Sequence, residues 1–366
     1  MSLHQKFHRK FHRKHLSLLA AAIITSLVSG CASNAPSSES KPGGSGQGSA
    51  PAAQTAAGST TLAVNVGYAQ DLRDFSNTVV VPTAYVKFLV DGKVFVSKQG
   101  SALSTLGGGS ANSVKASAKY KVAGLDKALA QSIAKQAYDD FVAKLRASGY
   151  TVLTYEDIKD RDYVKKAARD KGDAKWGLPT ETPVGSSDTY LVAAPSDAQQ
   201  IKIGFTGPFA EFISLGKPKF KDATVIIPTY TIVSPQVWGE TGAGFNRIEA
   251  GIKTAAGMNL QYASAVWMGK PKVRMGGGNA AGVVTKAAVI NIAEKAGDLV
   301  KAADTTPAAA NALSKGLSML SGAGSIDSSS ADYVFNVDRN AYTAGALKGI
   351  SNFNAEVAKA AANAEK

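Results

Sequence analysis

The sequence predicts an α+β, mixed α/β fold: a twisted mixed sheet with flanking helices and long antiparallel hairpins. Three observations carry it. Apolar residues from Leu125 through Ile133 and Phe141 to Leu145 recur at helical spacing over 125–147. The run YTVLTY (150–155) follows immediately as a strand, so helix, Gly149 and strand form an α/β unit. Beyond residue 200 long stretches alternate at period two.

Residues 1–30 precede this body and differ from it. All four histidines, His4, His8, His12 and His15, and five basic residues lie in the first fifteen positions. Residues 16–28 (LSLLAAAIITSLV) form an uncharged, mostly apolar run. Thirteen residues span about 20 Å as a helix, short of a ~30 Å bilayer core. Basic region, short apolar region and small residues predict a secretory signal peptide over 1–30. Removing it takes the net charge from +13 to +8 and leaves no histidine. That excludes Ser-His-Asp and Cys-His sites, His/Cys zinc sites and, with one cysteine, a disulfide framework or a redox dithiol. The pI of 9.5 partly reflects the signal, so it predicts no nucleic-acid partner.

Residues 32–61 are Ser, Gly, Ala and Pro with two charges and no Leu, Ile, Val, Met or aromatic residue. Such a segment buries too little apolar surface to offset the entropy of ordering. It predicts a tether over 31–61 with a reach of about 30 Å.

The body is expected over 62–366, with a subdivision near 172–200. Segment 62–68 alternates as a strand, and 83–98 reads as a hairpin around Asp91-Gly92. Asp126 lies in the first turn of the helix over 125–147 and Gly149 ends it. A charged helix over about 156–171 follows, then an irregular stretch to 200. IKIGF (201–205), AEFISL (210–215) and ATVIIPTYTIV (223–233) are strand-like, Pro228 making the last an edge, bulged or split strand. Residues 246–256 and 258–268 read as an antiparallel pair around Gly257. Ile248, Ala250, Ile252 and Thr254 share one face of the first; Met258, Leu260, Tyr262, Val266 and Met268 share one face of the second. Segment 282–300 fits a strand hairpin or a buried helix. Thr306-Pro307 starts a helix over 307–320, YVFNV (333–337) is a strand, and Asp338 caps a last helix over 339–364.

Candidate chemistry is sparse. Gly107-Gly108-Gly109 and Gly276-Gly277-Gly278 lack the Lys-Ser/Thr of a phosphate loop, and Gly242-Ala243-Gly244 lacks the third glycine of a dinucleotide fingerprint. Ser132…Lys135 and Ser214…Lys217 match S-x-x-K without the partner motifs. Asp139-Asp140 and Glu156-Asp157 are adjacent carboxylates; Lys135 and Lys144 at helical spacing favour ion pairing for the first pair. Asp160-Arg161-Asp162 lacks the other ligands of a calcium loop. These residues predict no catalytic group, no metal and no cofactor. Two basic turns recur, Lys217, Lys219, Lys221 and Lys270, Lys272, Arg274, each beside a proline. They form either one cationic surface or strand-edge protection, and edge protection is favoured. The strands of 246–268 have membrane-barrel length, but the same alternation describes a half-exposed soluble sheet.

Leu27-Val28-Ser29-Gly30-Cys31 resembles the bacterial lipobox, and Cys31 is the sole cysteine. The resemblance implies cleavage before Cys31, a diacylglyceryl group on its sulfur and an acylated amine, hence a stable membrane anchor. Ala32 follows, which by resemblance to the proteobacterial sorting rule implies the outer membrane. The order of tether, amphipathic helix, YTVLTY strand, charged helix, long β pairs and terminal helix is similar to the curli-secretion channel (CsgG-like) lipoproteins. It is also similar to the periplasmic α/β domain at the N-terminus of TolB. The best-matching stretch is Leu125–Asp157. That resemblance implies a structural or accessory component of envelope assembly or secretion, facing the periplasm and acting through envelope proteins or self-association. It brings no catalytic residue. The alternatives are carbohydrate or small-ligand binding near Trp176, Trp238 or Trp267, and a histidine-free hydrolase using carboxylates.

Overall fold

The computed structural model describes residues 64–66, 76–99, 113–202, 223–243, 248–269, 281–287, 290–292, 295–304 and 328–364. The fold is α+β. Among the described residues, thirteen strands form one mixed sheet and two form a separate antiparallel ribbon.

The long helix α1 (Lys127–Ala147) forms where its spacing predicts. The Asp126 side chain accepts the Leu129 N–H at 2.8 Å, satisfying a free first-turn donor. At the other end Gly149 adopts φ +95°, with Tyr150 N–H bonded to Leu145 O and Gly149 N–H to Arg146 O, a Schellman stop that favours glycine. The buried stripe includes Leu129, Ile133, Phe141 and Leu145. The C-terminal helix α4 (Arg339–Ala364) is capped as expected: the Asn340 and Ala341 N–H groups bond to Asp338 Oδ1. Ile350, Phe353 and Val357 are fully buried and Leu347 packs against them.

Between them lie two one-turn helices, α2 (Tyr155–Ile158) and α3 (Asp162–Lys165), where a single charged helix over 156–171 was expected. Thr154 and Asp157 form a capping box that starts a helix, but Arg161 is extended and breaks the run.

The sheet order is β1 (Val64–Val66), β12 (Ala281–Ala287), β11 (Met258–Gly269), β8 (Thr224–Val233), β3 (Tyr85–Gln99), β4 (Ser113–Ala123), β15 (Ser328–Val337) and β14 (Gly297–Asp304). Off this path, β2 (Thr78–Val80) pairs with β5 (Thr151–Leu153) and β8, both parallel. β6 (Thr180–Glu181) pairs with β7 (Thr189–Ala193), which pairs with β3; β13 (Ile290–Ile292) pairs with β11. The strand β7 runs within the stretch expected to be irregular.

Strand parity separates two layers. Val86, Phe88, Ile226, Tyr230 and Trp267 pack with α1 and α4. Val80, Tyr85, Val192, Val225 and Ile227 pack on the other side with Ile158 of α2 and Val164 of α3. Two glycines on α4 allow its close approach: a Cβ on Gly345 would stand 2.8 Å from Met258 Sδ, and one on Gly349 2.8 Å from Ile292 Cδ1.

Four expectations change in three dimensions. Asp91-Gly92 is not a turn, because β3 runs unbroken through it. Gly92 sits directly opposite Tyr120, whose ring, at Cζ and Oη, occupies the space a Cβ would need. The glycine therefore serves packing rather than φ > 0. Second, 248–255 and 258–269 are not partners. β10 (Ile248–Ala255) pairs with β9 (Gln236–Ala243) as the ribbon, while β11 joins β8 and β12 in the main sheet. Third, a bulge between Leu260 and Tyr262 shifts the buried face of β11 from Met258 and Leu260 to Ala263, Ala265 and Trp267, which leaves Tyr262 42% exposed. Fourth, β8 is central. Its register runs from Val225, opposite Val80, to Thr229, opposite Tyr85, so Pro228 faces the break between β2 and β3 where no ladder donor is required. Residues 281–287, 290–292 and 297–304 are strands, which settles the 282–300 alternatives for β. The expected elements at 203–205, 210–215 and 307–320 lie outside the described residues.

Candidate functional site

Cys31 and the basic turns Lys217, Lys219, Lys221 and Lys270, Lys272, Arg274 all lie outside the described residues, as do Ser214 and the glycine runs at 107–109 and 276–278. The remaining candidates have defined surroundings. On α1, Ser132 is exposed and Lys135 bonds Asp139 at 2.6 Å, so Lys135 does not activate Ser132. Lys144 pairs with Asp140 on the same helix. Glu156 pairs with Lys159 at 2.5 Å. The N–H and hydroxyl of Thr154 hold the Asp157 carboxyl below the usual carboxylate range. Asp160 pairs with Lys165 at 3.2 Å. Among the described residues no cluster of acidic side chains has the geometry of a metal site.

The tryptophans occupy different settings. Trp267 is fully buried against the Tyr150 ring, centroids 5.6 Å apart at 65°, so it meets no ligand from solvent. Trp176 is half-buried beneath the Lys175 ammonium, 4.4 Å from its centroid. Trp238 is half-buried in β9, opposite Lys253 of β10.

Two arrangements carry polar groups with unused capacity. The first is an open cleft of about 230 Å³ at the start of α1, lined by Lys127, Arg169, Asp170, Leu178, Asp197 and Gln200. Lys127 at 2.7 Å and Gln131 at 2.8 Å hold Asp197 below its ordinary pKa. Arg169 spends three donors on the carbonyls of Ala198, Ala167 and Val164, fixing the loop against a bridge to Ile201. Gln200 is buried: its Oε1 accepts the Ala194 N–H at 2.9 Å, and its Nε2 has no partner among the described residues.

The second is an exposed face of the β3–β4–β15–β14 sheet, which follows from register. Directly opposed residues share a face, giving the row Asp91–Lys121–Val334–Val300 and the row Lys93–Lys119–Asp332. Next come Phe95–Ser117–Ser330 and Ser97–Lys115–Ser328. Lys93, Lys115, Lys119 and Lys121 are exposed, with Phe95 57% and Val300 51% exposed among them. The reverse face is closed by Tyr120, Val94 and Val237 of the ribbon. The sequence signal for this face is the alternation Lys115, Lys119, Lys121 in SVKASAKYKVA.

Compared with family models, with curated proteins and with solved structures, the chain matches none.

Proposed function

We propose that the chain is a lipid-anchored protein of the outer membrane, facing the periplasm, that serves envelope assembly or secretion as a structural or accessory component through protein contacts. The observation that carries this reading is the placement of the sole cysteine, Cys31, at the end of Leu27-Val28-Ser29-Gly30-Cys31. A polar segment of about thirty residues then separates the anchor from the body. The sheet order supports action through protein contacts. Among the described strands β14 closes one end of the sheet order, paired with β15 alone. A strand with a free edge is a ready template for a partner strand.

The test is Cys31→Ser in the native host, with membranes fractionated and wild-type complexes sized in mild detergent. The expected result is release of the variant from membranes and a wild-type assembly larger than one chain. Retention of the variant on membranes overturns the anchor. A strict monomer without associated envelope proteins overturns the assembly role.

A second reading, small-ligand binding, rests on the Arg169–Gln200 cleft with its buried unused amide. It expects Arg169→Ala to abolish a saturable heat signal with the ligand class concerned.

A further inference from the structure

Lys93 on β3 stands directly opposite Lys119 on β4. Two like charges in that position have Cβ atoms about 5 Å apart and destabilise the pair. Among the described residues no carboxylate lies within 4 Å of the ammonium group of Lys93, Lys115, Lys119 or Lys121. Asp91 and Asp332 stand on the same face and Asp188 Oδ1 accepts the Lys93 N–H at 3.3 Å, so the four lysines exceed these neighbouring carboxylates by one charge. From Lys115 to Lys121 the patch extends about 20 Å along the strand. Phe95 lies beside Lys93 on the same face, and Val300 marks the opposite side of the patch. A solubilising surface needs neither an opposed lysine pair nor a phenylalanine at its centre.

We propose that this face docks on anionic lipid headgroups. Lysine ammonium groups meet the phosphate layer while Phe95 and Val300 reach the boundary of the acyl region, the division of labour used by interfacial segments. The proposal rests on the anchored reading: a tether of about 30 Å reach keeps the body close enough to a bilayer for weak contacts to add up. The fit is one of charge complementarity with an exposed aromatic, and an exported chain held at a membrane meets lipid phosphate before any other polyanion.

The experiment uses the full acylated chain carrying Ser97→Cys, labelled at that thiol with a polarity-sensitive dye. The protein is placed in vesicles of phosphatidylcholine alone or with about 30% phosphatidylglycerol. The dye is expected to shift to the blue only with phosphatidylglycerol, and to revert in 0.5 M salt, where the screening length falls to several ångströms. Lys119→Gln with Lys121→Gln should weaken the response by roughly twenty-five-fold, at about fivefold per lysine. Phe95→Ser should weaken it without changing its salt dependence. Lys135→Gln on α1 should leave it unchanged, and matched melting curves verify that each variant is folded. Equal shifts in both vesicle types, or an undiminished response in the double lysine variant, overturn the proposal. A larger shift with a soluble acidic polysaccharide than with phosphatidylglycerol vesicles assigns the face to glycan and also overturns it. Dye stoichiometry separates the two readings. Two dyes per chain mean Cys31 is unacylated and overturn the anchor, whereas one dye without an anionic-lipid response overturns the docking face.

Discussion

The Tyr230 hydroxyl donates to Asn354 Oδ1 at 2.7 Å, joining the central strand β8 to the C-terminal helix α4. Asn354 Nδ2 donates onward to Asp140 Oδ2 at 2.9 Å, and Lys144 bonds both Asp140 and, at 2.9 Å, Ser351. Burial raises the Tyr230 phenol well above its ordinary pKa, so it remains a donor at every pH the fold meets. Asp140 thus keeps its expected ion pair with Lys144 and also ties two helices to the sheet.

Tyr230→Phe is expected to cost about 1–2 kcal/mol, because it leaves Asn354 Oδ1 buried with one partner fewer. Asn354→Ala is expected to cost more, about 2–4 kcal/mol, since it strands the Tyr230 hydroxyl, takes a donor from Asp140 and opens a cavity. Urea unfolding of both variants checks the order; a smaller loss for Asn354→Ala would mean that the network does not bear on stability.

Gly92→Ala is expected to destabilise by about 1–3 kcal/mol, through overpacking against the Tyr120 ring. The loss should be strongly non-additive with Tyr120→Ala, because removing the ring removes the clash. A double-mutant cycle measures this, and additive costs would show that the ring relaxes away freely.

The Arg339 guanidinium at 2.7 Å and the Leu129 N–H hold the Asp126 carboxyl below its ordinary pKa. A depressed carboxyl contributes stability that is present above the unfolded pKa of about 3.9 and is lost as pH falls through the folded value. Asp126→Ala should therefore cost about 1 kcal/mol near neutral pH, chiefly as a lost helix cap, and the gap to wild type should close as pH drops below about 4. The exposed ion pair adds little and weakens with salt. Urea midpoints across pH test this; a pH-independent gap would exclude the carboxylate as its source.

Trp267→Ala is expected to cost about 3–5 kcal/mol, the range for truncating a buried aromatic. In a Trp176→Phe, Trp238→Phe background the emission of Trp267 should lie to the blue and resist iodide quenching, since its side chain is sealed in the core. Ready quenching would mean that β11 opens in solution.

The two long helices were legible because their information is local. Asp126, the buried stripe and Gly149 lie within one continuous segment, as do Asp338 and the Ile350–Phe353–Val357 stripe, and a period of 3.6 admits few alternative readings. The mixed sheet followed from the α/β unit and the later alternation. The anchor reading at Cys31 likewise rests on neighbours in sequence. Strand partners were not legible. The alternation of 248–255 suits β9 and β11 equally, and the pairing goes to whichever strand leaves β11 free to lie between β8 and β12. Asp91-Gly92 has the composition of a turn, and only Tyr120, twenty-eight residues on, makes that glycine a packing residue in a straight strand. The lysine face has the same origin. Lys93 becomes the neighbour of Lys119 only when β3 and β4 pair in one register, and a slip of one residue would send them to opposite faces. Local periodicity and capping thus determined the two long helices of this chain. Burial on both sides of the sheet, which depends on residues far apart in sequence, decided which strands met and which charges were left facing outward.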